Sequence, residues 1–113
     1  MTVASLFNVP TTDDEMRQWS FAHMAHHRDI NAAIQQNYSI TLPLYILDPV
    51  DMNDPKAFLD QHQLMHNNTD QITGVAGFDL SEVNWSDPQQ RAGWIYLNAQ
   101  LHTQESAALG GID

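Results

Sequence analysis

Apolar and aromatic residues recur along this chain at steps of three and four over three long stretches, the spacing that lines one face of a helix. Each stretch opens on a start signal. Thr12 with Glu15 forms a capping box, and Asp54-Pro55 and Asp87-Pro88 each place a capping carboxylate before a proline at the first helical position. Stop signals follow at Gly74 and Gly110, with a polar break near Asn37-Tyr38. The pattern predicts helices over 13–37, 55–72 and 88–109, hence an all-α three-helix bundle in one domain spanning 13–113.

Aligning the three stretches reveals a repeat. The first carries Trp19-x3-His23-x3-His27, the second Phe58-x3-His62-x3-His66, and the third Trp94-x3-Asn98-x3-His102. Steps of four stay on one helix face, so these nine residues are predicted to point inward as the structural core. Ile30 and Ile34 continue that face in the first helix, with Leu101 and Leu109 beside it in the third. His26 falls one step round and is expected nearer an edge.

The segments between the helices are apolar enough to pack on the bundle. Residues 38–53, "YSITLPLYILDPVDMN", admit a short strand near 40–47, and 74–86 carry Phe78, Leu80, Val83 and Trp85. Residues 1–12, with Leu6, Phe7 and Val9 before Pro10, read as an extended N-terminal arm that caps the bundle or reaches a neighbour.

Composition removes several classes of function. Lys and Arg total 4 against 14 Asp and Glu, a formal charge of −10, and the four basic residues are scattered singly. Neither nucleic acid nor an anionic membrane surface is an expected partner. With no cysteine there is no disulfide, thiolate metal site or cysteine nucleophile. No signal-peptide pattern opens the sequence, and no run reaches the roughly 18 apolar residues of a membrane span. The expectation is a soluble protein synthesised in the cytoplasm.

Two readings of the histidine rows follow. Buried neutral imidazoles both donate and accept, so His23, His27, His62, His66, His102 and Asn98 can form a hydrogen-bonded polar core that selects one helix register. Alternatively, His-x3-His pairs at 23/27 and 62/66, with His102 and Glu105, have the spacing that chelates a transition metal. The polar core accounts for all three copies, Asn98 included, so no metal or other cofactor is the favoured expectation. Glu105 then reads as a partner for His102 one turn away. No zincin motif, nucleophile elbow, phosphate loop or inward carboxylate pair is present, and the chain is expected not to be an enzyme.

The stretches "WSFAHMAHHRDINAAI", "LPLYILDPVD", "FLDQHQLMHNN", "DLSEVNWSDP" and "WIYLNAQLHTQESAALGGID" together resemble a group of small proteins encoded among the virion structural genes of tailed bacteriophages. The resemblance covers nearly the whole chain, and its motif is the repeated aromatic-x3-His-x3-His. Phe58 and Asn98 depart from the full pattern of tryptophan and histidine. The resemblance implies a non-enzymatic virion component at the head–tail junction, in the tail or as an accessory subunit. It would be present in several copies and act through contacts with other virion proteins. A His-rich metal-binding protein and a small cytosolic protein that binds a host protein are the alternatives.

Overall fold

The computed structural model describes residues 3–45 and 55–112. Three α-helices carry the architecture: α1 over Asp13–Tyr38, α2 over Pro55–Thr73 and α3 over Pro88–Ala108. All three lie within a residue of the bounds read from the sequence, because their ends are chemically specified. At α1 the Thr12 hydroxyl accepts from the Glu15 amide at 3.1 Å, and the Glu15 carboxylate reaches back to the Thr11 amide at 3.2 Å. At α3 the Asp87 carboxylate accepts from the Gln89 amide at 3.0 Å, with Pro88 opening the first turn. The Asp54 cap lies outside the described residues. Helix α1 stops where Ser39 turns left-handed and its amide bonds the Gln35 carbonyl. Gly74 and Gly110 close the other two with φ of +79° and +93°.

The nine predicted core residues are all buried. The five histidines and Asn98 among them separate two apolar clusters. One gathers Trp19, Phe58, Trp94, Leu6 and Leu80 toward the start of the helices, and the other gathers Ile30, Ile34 and Leu109 toward their far end. The polar rows thus occupy a band across the bundle, with packed hydrocarbon at either side excluding water from it.

Two expectations change. Residues 3–7 of the arm are wound into a 3-10 turn rather than extended, and the turn packs on α1 and α3. Leu6 is completely buried there, and its carbonyl accepts from the Trp19 indole at 3.1 Å. An indole N–H buried in hydrocarbon needs an acceptor, and the arm supplies it. The arm is therefore part of the core. No strand forms over 40–45, and the remainder of that connector lies outside the described residues. Among the described residues no helix is long and apolar enough to cross a membrane.

Candidate metal centre

The repeat stacks its side chains in layers across the bundle axis. The first layer is aromatic: Trp94 lies 6.2 Å from Trp19 and 5.9 Å from Phe58, centroid to centroid. Beneath it, His23 stacks on Trp19 at 4.6 Å and 27°, and His62 on Phe58 at 5.7 Å and 21°. The next turn brings His27, His66 and His102 into a nearly equilateral triangle with ring separations of 4.8, 4.5 and 4.7 Å. Those three rings meet at steep angles of 62–83°, like the blades of a propeller. One residue from each helix fills each layer, as steps of four along three roughly parallel faces require.

One nitrogen from each of His23, His27, His62, His66 and His102 lies within 4.8 Å of the other four. The Nε2 atoms approach pairwise: His27 to His23 at 3.1 Å, His23 to His62 at 3.2 Å, and His62 to His66 at 3.0 Å. All five rings are buried.

Hydrogen-bond accounting shows why these contacts make an incomplete polar core. A neutral imidazole nitrogen either donates or accepts, never both. Along the row from His27 to His66 the roles must alternate, so a single N–H on His62 would serve two neighbours. His62 Nδ1, His102 Nε2, Asp70 Oδ1 and both amide atoms of Asn98 are buried without a partner at hydrogen-bond distance and angle. Leaving a buried polar atom unpaired costs on the order of 1–3 kcal/mol. The expected histidine core forms, with contacts running from His27 through His23, His62 and His66 to Glu105, but it leaves these atoms unpaired.

The surrounding shell sets two of the rings in metal-ready tautomers. The Ile112 carbonyl can only accept, so His26 donates to it from Nε2 at 3.4 Å. His26 Nδ1 must then accept from His102 Nδ1, 2.7 Å away, which leaves the lone pair of His102 Nε2 directed into the cluster. Likewise, the Glu105 carboxylate accepts from His66 Nδ1 at 2.9 Å, leaving the His66 Nε2 lone pair facing inward. Such outer contacts are the usual means by which proteins orient ligating imidazoles.

Glu105 is thus not a direct ligand candidate. Nor does it pair with His102, as the i,i+3 spacing implied; it crosses to His66 on α2. His26 is not at an edge. It is 4% exposed and holds His102. His26→Ala is accordingly expected to destabilise the fold by about 1–3 kcal/mol through the orphaned His102 donor. A denaturant midpoint unchanged from wild type would place His26 outside the core.

Asp70 is a participant the sequence reading missed. It follows His66 by one turn and neighbours Glu105. Burial and then Glu105 push the Asp70 carboxyl up to about 8. Burial raises Glu105 to about 7, while the bond from Asp70 works in the opposite direction. The two carboxyls act on one another across the α2–α3 interface, and Glu105 also accepts from His66. Asp70 also borders an open cleft with Gln63, Asn67 and Asp79. Gly77, at φ +67°, lies so close over the Asp70 carboxylate that a side chain at that position would collide with it.

The imidazoles themselves are held neutral. Burial lowers His23, His27, His62 and His102 well below 6.5, and neighbouring imidazoles add to the effect. Burial brings His66 to about 4, against the opposing pull of Asp70. Neutral imidazole is the form that binds metal.

No family model, curated protein or solved structure matches the chain.

Proposed function

We propose that this protein is a metal-holding helical module whose centre is a mononuclear five-histidine site. The carrying observation is the convergence of five ring nitrogens within 4.8 Å, all buried and drawn from three helices. Metal–nitrogen bonds of about 2.1 Å meeting near right angles separate neighbouring nitrogens by about 3.0 Å. The three Nε2 contacts, at 3.0–3.2 Å, have that spacing. An ion at their focus needs only lone pairs, which removes the conflict over the His62 proton and gives His102 Nε2 a partner.

Donor chemistry narrows the ion. An all-imidazole set suits zinc, copper, iron, nickel or cobalt in the divalent state, and offers nothing to the oxygen-seeking calcium and magnesium. Glu105 brings a compensating negative charge one bond beyond the ligands, which the burial of a dication requires.

The resemblance to phage virion proteins supplies a setting. In a chain without cysteines, an ion joining all three helices would staple a small structural subunit. Elemental analysis and X-ray absorption of protein purified without chelator test the assignment. One transition-metal ion per chain, with a first shell of five nitrogens at about 2.0–2.2 Å, is the expected result. Substoichiometric metal that cannot be raised by reconstitution would remove the proposal. Mass spectrometry of purified phage particles tests the setting separately.

A further inference from the structure

The repeat defines six inward corners, and the imidazoles occupy five. His27, His66 and His102 complete the lower triangle. The upper triangle has His23 and His62, 5.0 Å apart, and its third corner falls to Asn98, one turn after Trp94 and one turn before His102. Asn98 is completely buried and lies close enough to His23, His62 and His66 to act on their rings, yet neither its oxygen nor its nitrogen meets hydrogen-bond distance and angle with any of them. A fully buried carboxamide with both ends unpaired is rare in a folded protein and calls for a partner.

We infer that the bound ion keeps one coordination position open at the Asn98 corner, where a small exogenous ligand sits on the metal and is hydrogen-bonded by the Asn98 carboxamide. This rests on the five-histidine metal reading. Asparagine and histidine share the same Cβ–Cγ stem, but the carboxamide ends one bond beyond Cγ, whereas Nε2 lies across the ring. At a corner built for Nε2, asparagine therefore stops short of the ion and leaves that coordination position to a small exogenous ligand. The carboxamide offers both an N–H donor and a carbonyl acceptor, so it can hold water or a small anion. Trp94 stands above the corner, and its indole N–H is already committed to the Leu80 carbonyl at 2.9 Å. The roof is therefore aromatic and admits only a compact ligand. Five protein ligands with one exchangeable position are the mark of a site that binds or activates something, as distinct from a closed structural site.

The test uses the full chain loaded with Co(II), whose visible bands report coordination, and azide as the probe. The wild-type spectrum is expected to change saturably with azide. Asn98→His, which supplies the sixth imidazole, should still hold one cobalt per chain and should not respond. Asn98→Ala should respond with azide affinity weakened roughly fivefold to tenfold, the worth of one hydrogen bond. It carries the test alone if the larger imidazole prevents folding. A wild-type spectrum indifferent to azide overturns the open position. So does an undiminished response in a folded Asn98→His chain. Failure of the wild type to take up cobalt at all instead removes the metal reading beneath it.

Discussion

One equivalent of Zn(II) is expected to raise the melting temperature of the metal-free chain by more than about 10 °C. An ion that binds the folded cluster and finds no equivalent site in the unfolded chain stabilises by mass action, by about 4 kcal/mol at a thousandfold excess over Kd. In a domain near this size each kcal/mol moves the melting point by roughly 4 °C or more. Excess chelator should reverse the shift. His27→Ala, which removes one corner of the equilateral triangle, should lose most of the response, and exposed Gln104 replaced by Ala should keep it. Calorimetric scans that superimpose with zinc, without it and with chelator would rule out a metal-pinned bundle.

Stripped of metal, the chain is expected to be most stable near pH 6.5 and to unfold within about one to two pH units on the acid side. Five imidazoles have folded-state values lowered by burial, His66 to about 4. Unfolded, they titrate near 6.5. Below that value the unfolded chain takes up protons that the folded chain refuses. Glu105 and Asp70 act in the opposite sense, keeping protons in the folded state up to about 7 and 8. Between about pH 4.5 and 6.5 the imidazoles outnumber these carboxyls by three, so the unfolded state binds more protons and stability rises with pH. Above 6.5 only the carboxyl difference remains, and stability declines gently toward pH 8. Urea midpoints measured in chelator from pH 5 to 8.5 check both limbs. A midpoint that holds steady or climbs below pH 6 would show that the histidines are not buried neutral.

The bundle was legible in the sequence because its signals are local. Thr12, Pro88, Gly74 and Gly110 act within a turn of where they sit, and steps of four from Trp19, Phe58 and Trp94 fix which face is inward. His26 was misplaced because a face followed only at steps of four is too narrow. Helix α1 meets two neighbours, so the buried stripe also takes i+3 positions, and Ala22 and His26 flank the main row. Asp70 left a readable trace, continuing Phe58, His62 and His66 by the same step. The partner of Glu105 left none, because an i,i+3 relation within α3 says nothing of what α2 presents across the interface. Whether lone pairs converge on a point or pair off also depends on ring rotation. Sequence spacing does not encode that; the Ile112 carbonyl and the Glu105 carboxylate set it through His26 and His66.

The layered repeat also bears on symmetry. Trp19 docks its indole on the Leu6 carbonyl and Trp94 on the Leu80 carbonyl, so a lead-in segment and its helix form one unit. The aromatic and histidine row itself recurs three times, ending on His27, His66 and His102. Three identical peptides of that length around one ion would be a cyclic trimer, and any change at one corner would be made three times over. Joining the units in a single chain lifts that constraint. One vertex can be rewritten from imidazole to carboxamide while the other five stay as they were, so within the two polar layers the departure from equivalence is confined to Asn98.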